Sequence, residues 1–389
     1  METKITRPAW MEVHLDRLEN NIKEIKRLVG SKEILGVVKA DAYGHGVEEV
    51  TKTLYSCGVR KFAVATVSEA RQLRRRFTNI DILIFGAIQK ELAEEIIYGD
   101  FVATVSRVEE MKFLQEKAAE LEKVARVNLK VDTGMHRLGF NPNEKEAKAI
   151  AEAASGDNLR IEGAYTHFAI SYEDDAFTKA QNEKYDSFIE LLHKEGVEIP
   201  VQHVCNSAAI IKDPLMHHDL VRAGIILYGV YPFSGSEYQL LNLMHPMEIK
   251  AEIVYIREIG PGETVGYGRT FTAKSIRKIA TLPIGYADGY PRRLSNRFSV
   301  IVKGKKAPIA GFVCMDQMMI DVTGIDCEVG DKVTLMGRDK GEEISAEEFA
   351  LAYETSPYEI LCLWSKRLPK VYYYKGKQTR VVDELLDCQ

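Results

Sequence analysis

Eight short apolar, β-branched runs recur along the first part of the chain, most of them separated by stretches of helical periodicity. The runs are residues 34–38, 62–65, 82–85, 102–105, 124–131, 161–166, 201–205 and 225–228. Leu15, Leu18, Ile22, Ile25 and Leu28 recur at helical spacing, with Gly30 as a stop signal, and residues 47–57 read as a helix closed by Gly58. Strands alternating with helices imply a parallel sheet, and this count suits a closed (β/α)8 barrel. A doubly wound open sheet produces the same local pattern, so periodicity leaves the two open.

The character changes near residue 242. Turn signals then come often, at Gly260-Pro261-Gly262, Lys303-Gly304-Lys305, Val329-Gly330-Asp331 and Lys375-Gly376-Lys377. Between them, residues 249–256, 278–282, 300–302, 318–322 and 371–374 fit the strands of a mostly-β domain. One helical insert, 345–353, opens with Ser345 and Glu348 in capping-box spacing. The expected organisation is a barrel over 10–242 and a β domain over 243–389, with residues 1–9 packing on the latter.

A chain of 389 residues suits two domains. Its net charge of −5 offers nucleic acid no broad basic footprint, and Arg74, Arg75 and Arg76 read as a solvated helix face. Residues 1–10 contain no apolar h-region, and the apolar stretch 220–233 is short and broken by Arg222, so neither a secretory signal nor a membrane span is expected. The six cysteines, at 57, 205, 314, 327, 362 and 388, form no C-x-x-C pair. They read as reduced thiols of a cytoplasmic protein, with no metal site.

Lys39 stands directly after the first apolar run, in Val37-Val38-Lys39-Ala40-Asp41-Ala42-Tyr43-Gly44-His45-Gly46. A buried ammonium is expensive, and a lysine kept neutral can form an imine with an aldehyde. A lysine that only snorkels at a strand end fits the same residues. At this decapeptide the chain resembles the alanine racemase family, whose cofactor-lysine signature is V-x-K-A-x-A-Y-G-H-G. Further family motifs follow in order: residues 130–139, Val221-Arg222-Ala223-Gly224-Ile225, Gly266-Tyr267-Gly268-Arg269, Gly285-Tyr286-Ala287-Asp288-Gly289 and Cys314-Met315-Asp316-Gln317. Together they span essentially the whole chain.

The resemblance implies an N-terminal (β/α)8 barrel joined to a C-terminal β domain, and pyridoxal 5'-phosphate as cofactor. It implies racemisation of alanine by two opposed bases, Lys39 and Tyr267, supplying D-alanine for peptidoglycan. Tyr267 is expected to act on the partner subunit's cofactor, in a homodimer with shared sites. Tyr43, Asn206, Ser207, Gly224, Ile225 and Lys366 are the implied phosphate-side residues. Arg222 is implied at the pyridine nitrogen, and His167 as a link between Tyr267 and Arg222. A guanidinium keeps its proton, so the ring nitrogen stays unprotonated and the ring is a weaker electron sink. A decarboxylase of related fold would place an acid there. Arg137 and the backbone of Met315 are implied to hold the substrate carboxylate, Asp316 and Tyr286 to line its entrance, and Lys130 to carry a carbamate in some members.

Two positions depart from the family pattern. His136 stands where a small residue is common, and Lys366 where some members place a tyrosine. Both bear on substrate size, so a serine or broad-specificity racemase is the competing reading within the same chemistry. A non-catalytic cofactor-binding barrel is the competing reading outside it, and that type lacks a β domain.

Overall fold

The computed structural model describes residues 5–233 and 240–386. Its first strand, β1 (Ala9–His14), leads into the helix Leu15–Val29, which buries Leu18, Ile22 and Ile25 and ends at Gly30, φ 64°. Each such side chain contributes about 1.5–3 kcal/mol when fully buried. Eight parallel strands follow: β2 (Glu33–Val37), β3 (Lys61–Val64), β4 (Asp81–Ile84), β5 (Val102–Val105), β6 (Ala125–Lys130), β7 (Leu159–Tyr165), β8 (Gln202–His203) and β9 (Leu220–Ala223). Their spatial order is β8-β7-β6-β5-β4-β3-β2-β9. The two ends meet where Arg222 N donates to Cys205 O at 3.1 Å and Gln202 N to Asp219 Oδ2 at 2.9 Å. This is the barrel, and it removes the open-sheet alternative.

One barrel strand lies earlier than its apolar run suggested. Residues 225–228 form a 3-10 turn, and the eighth strand is Leu220–Ala223. Both segments are wholly buried, so their apolar residues carry no period that separates strand from turn. Arg222 is therefore a strand residue, not an interruption.

The C-terminal part contains β10 (Met247–Glu252), β11 (Tyr255–Ile259), β12 (Thr264–Val265), β13 (Phe271–Thr272), β14 (Arg277–Leu282) and β15 (Ser299–Val302). It continues with β16 (Lys305–Pro308), β17 (Met318–Asp321), β18 (Lys332–Asp339), β19 (Glu342–Ile344), β20 (Lys370–Tyr374) and β21 (Lys377–Val382). The large sheet runs β16-β15-β18-β10-β1-β20-β21, and β11-β14-β17 form a second sheet. The single strand expected at 249–256 is two, because the chain changes sheets there. Ile253 N bonds Asp331 O, whereas Val254 N bonds Thr281 O. Residues 10–14, assigned to the barrel from the sequence, lie inside the large sheet, antiparallel to β10 and parallel to β20.

Ser345 caps its helix as expected, accepting from Glu348 N at 3.1 Å. The five described cysteines are free thiols, and Cys388 lies outside the described residues. Among the described residues no helix is long and apolar enough to cross a membrane.

Candidate active site

Lys39 leaves the C-terminal end of β2, the end at which barrels of this kind build their sites. The next four residues, Ala40 to Tyr43, are all left-handed, with φ of 53°, 52°, 54° and 52°. That conformation costs a non-glycine residue about 1–2 kcal/mol and persists only where neighbours over-determine it. Here they do. Glu69 accepts from Ala40 N at 2.7 Å with one carboxylate oxygen, and from Ala65 N and Thr66 N with the other. Asp41 accepts from Val47 N at 2.7 Å and pairs with Lys370 at 2.9 Å. The β domain closes against the same turn: a Cβ on Gly46 would sit 1.8 Å from Tyr372 Oη, and one on Gly44 2.3 Å from Leu361 O. Burial first, and then Arg137, lowers the pKa of Lys39 toward the neutral amine.

Lys39 opens into a cavity of about 550 Å³ at the strand ends. One wall brings Tyr43, Ser207 and Gly224 close together. Gly224 follows β9, and a Cβ there would lie 3.2 Å from Tyr43 Oη and 3.5 Å from Ser207 Oγ. Ser207 Oγ already accepts from Gly224 N at 3.1 Å, and Ile225 continues the same wall. Asn206 caps the short helix that begins at Ser207, accepting from Ala209 N at 3.2 Å.

Arg222 enters from the barrel interior, fully surrounded by protein. Its Nη1 donates to His203 O at 2.6 Å and to His203 Nδ1 at 3.3 Å. Its Nη2 donates to Thr166 O at 2.7 Å and Val204 O at 2.9 Å. Four of the five guanidinium N–H groups are thereby committed, and Nε–H is the donor left for the cavity. Burial lowers the pKa of Arg222 to about 10, so it keeps its proton at neutral pH. Among the described residues the histidine bonded to Arg222 is His203. His167 lines the cavity without that bond; burial and then Arg222 hold its ring far below the usual histidine pKa.

Arg137 and Lys130 line the opposite side. Lys130 Nζ donates to Val131 O at 2.7 Å, and burial, then Arg222, bring its pKa down to about 7. The two departures from the family pattern both lie off the cavity. His136 is exposed and turned onto Asp132, with Nδ1 3.2 Å from Oδ2. Lys366 is also exposed and lines none of the cavity, contrary to its expected place at the phosphate. The C-terminal domain reaches the cavity one turn earlier in the chain, through Tyr358 and Cys362 of the helix Pro357–Cys362. Tyr358 was missed, although Ser356-Pro357 is a readable helix start. His203 was missed because a histidine inside a short apolar strand carries no motif.

The remaining expected residues belong to a different surface. Tyr267 is 74% exposed, on a 3-10 turn between Gly266 and Gly268 that rests on Met319 and Phe312. Tyr286 N donates to Cys314 O and Ala287 N to Met315 O, both at 3.0 Å, which joins the Tyr286 turn to Met315. Asp316 is held by Arg367 at 2.7 Å. None of these four lines the cavity of its own chain.

Comparison with known proteins identifies the family. The model of the alanine racemase N-terminal domain matches residues 13–232, and that of the alanine racemase C-terminal domain matches 246–372. An alanine racemase of Methanococcus maripaludis is 41% identical over 95% of this chain and 100% of its own length. A solved alanine racemase of Clostridium difficile 630 superposes with a TM-score of 0.94 at 38% identity, covering 98% of this chain and all of that one. A histidine racemase from Leuconostoc mesenteroides shares the architecture with a TM-score of 0.87 at 28% identity, over 96% of this chain and all of its own. The chain belongs to the alanine racemase family of isomerases.

Proposed function

We propose that the enzyme interconverts L- and D-alanine with pyridoxal 5'-phosphate bound in the barrel cavity. The observation that carries the proposal is the meeting, in one cavity of about 550 Å³, of an amine of lowered pKa at Lys39, the wall of Tyr43, Ser207 and Gly224, and a single uncommitted donor on Arg222. Those residues fit the cofactor's aldehyde, phosphate and ring nitrogen in turn. When bound, it supplies an aldehyde to hold the substrate amine and a ring that stabilises negative charge at the α-carbon.

The chain's own groups do the rest. Tyr43, Ser207 and the backbone at Gly224 and Ile225 would hold the phosphate. Arg222 would donate its free Nε–H to the ring nitrogen and keep its own proton, leaving the ring the weaker electron sink. Arg137 and the Met315 backbone of the partner hold the substrate carboxylate. Lys39 Nζ moves the proton on one face and the partner subunit's Tyr267 Oη on the other. The exposure of Tyr267, Tyr286 and Met315 supports a homodimer in which each cavity is completed by the partner's β domain. Lys130, whose pKa is brought down to about 7, is a candidate for carbamate formation beside Arg137. The reaction belongs to the cytoplasm, with D-alanine serving peptidoglycan.

A serine or broad-specificity racemase is the second reading, favoured by the architecture shared with a histidine racemase. A chirality assay with L-alanine and L-serine side by side decides between them. L-alanine is expected to turn over faster, by no more than about 10²-fold, because an apolar pocket rejects an added hydroxyl weakly. A preference for serine overturns the substrate. Borohydride reduction is expected to fix the cofactor on Lys39, and a label on another lysine overturns the anchor.

A further inference from the structure

Inside the barrel, β6 places a polar side chain at three successive levels. Arg126 lies at the base, paired with Asp81 at 2.8 Å and Glu162 at 2.9 Å. Lys130 lies at the top, in the large cavity. Asn128 lies between them, buried, and lines a smaller cavity of about 60 Å³ toward the base. His203 lines that lower cavity and Arg222 the upper one, so their contact is the partition between the two. Barrel interiors are usually filled by branched aliphatic residues. A buried polar ladder in their place is stable only when each donor meets an acceptor.

At His203 the assignment has one solution. Arg222 possesses donors only, so His203 Nδ1, 3.3 Å from Nη1, accepts and carries no proton. The ring proton is then on Nε2. Facing Nε2 at 3.2 Å is the Asn128 amide. With its nitrogen toward the ring, donor opposes donor, and Asn128 Oδ1 is left buried without a partner. A half-turn of the amide removes both faults: Oδ1 accepts from Nε2–H, and the NH2 group takes the place of the unpartnered oxygen beside the small cavity.

The backbone is shaped around this amide. The β6–β7 ladder shifts register between Val127 and Asn128, a bulge of the kind that re-aims a side chain. Asn128 pairs with Gly163, where a Cβ would come 3.2 Å from the amide and 2.2 Å from Val201 O. Tyr165 stacks on the His203 ring at 4.9 Å and 17°, which holds the imidazole plane.

We propose that Asn128 is a positioning residue: it fixes His203 as the Nε2–H tautomer and thereby holds Arg222 with its Nε–H free for the cofactor. The inference rests on Arg222 serving the cofactor ring. A proton on Nδ1 would oppose Arg222 Nη1 and remove the 3.3 Å contact that ties the guanidinium to the ring, leaving the backbone carbonyls of His203, Thr166 and Val204 to hold it alone. An imidazolium would add like-charge repulsion, which burial and Arg222 already disfavour.

The test is nuclear magnetic resonance of the holoenzyme with isotope-labelled histidine ring nitrogens. His203 is expected to show a protonated Nε2 and a bare Nδ1, unchanged over about pH 5–8. Asn128→Asp sets a carboxylate against Nε2 and is expected to draw a second proton onto His203 within that range. A protonated Nδ1 in the unmodified enzyme overturns the proposal. So does a folded Asn128→Asp variant, its thermal midpoint intact, in which His203 stays neutral throughout. The wild-type spectrum decides alone if the variant does not fold. Neither readout uses racemisation, so the tautomer stands or falls separately from the racemase reading.

Discussion

Two turns carry the proposed bases, and they are built in opposite ways. The turn after Lys39 is strained and clamped from several elements: Glu69 from the barrel, Lys370 and Tyr372 from the β domain. The turn bearing Tyr267 presents its aromatic ring to solvent, 74% exposed, resting on Phe312 and Met319 only through its flanking glycines. A base that must also anchor a cofactor needs a fixed origin, and the single chain supplies every group that fixes it. A base for the opposite face needs access from outside the barrel mouth, and its own chain offers it no cavity. On the proposed reading, one chain holds the cofactor cavity with one base inside it, and presents the other base on a surface with no cavity of its own.

The largest effects should come from the clamped turn. Lys39→Ala is expected to abolish racemisation, since it removes both the anchor and one base, the base alone being worth about 10²–10⁴-fold. Reduction with borohydride should then fix no cofactor on the chain. Tyr267→Phe is expected to lower kcat by about 10²–10⁴-fold with cofactor absorbance and thermal midpoint unchanged, because the ring is not packed in its own chain. Mixed Lys39→Ala and Tyr267→Phe dimers should regain activity at the one cavity with both bases; no recovery in proven heterodimers would erase the contrast between the turns.

A smaller effect tests the clamp itself. Gly46→Ala would push a methyl group into Tyr372 Oη at φ 91°, and is expected to cost about 1–3 kcal/mol, seen as a lowered thermal midpoint. The matching change on the exposed side, Gly268→Ala, comes no nearer than 3.0 Å to the Phe312 ring and 3.5 Å to Thr270 Cγ2, and should cost less. Equal losses would show that the two turns are equally constrained.

Lys130 makes stability depend on pH. Its pKa is about 7 when folded against 10.5 for an ordinary lysine. Between those values the unfolded chain holds a proton that the folded chain lacks, so stability rises with pH across that window. Below about 7 both forms are protonated and the penalty of the buried charge is fully present. Lys130→Met is therefore expected to stabilise most below pH 7 and progressively less above it, measured by denaturant melts. The smallest effect belongs to Lys366→Met, within about 0.5 kcal/mol and without change in cofactor retention or the alanine-to-serine ratio of kcat/KM.

Much of this arrangement was legible beforehand, and the failures share a cause. Leu18, Ile22 and Ile25 announced their helix because one face of it meets the core, which imposes a period. Residues 225–228 were misread as strand because burial on every side leaves no period to read. Lys366 was placed at the phosphate by position in a motif, yet the chain there turns outward and Tyr358 lines the cavity instead. His167 was expected to bond Arg222, and His203 does so, because β8 sits beside β9 across the barrel seam.

The sequence by itself determined the alternation of strand and helix, the later change to a β domain, and the identity of the groups able to perform the chemistry. Periodicity and motif order are properties of neighbours along the chain, and they survive without coordinates. Tertiary structure alone decided that β1 joins a sheet otherwise built more than two hundred residues later, that Glu69 and Tyr372 hold the Lys39 turn, and that Arg222 keeps one donor free. Each of these depends on closure of the barrel and docking of the second domain. A hydrogen bond is decided by distance and direction in space, and separation along the chain says nothing about either.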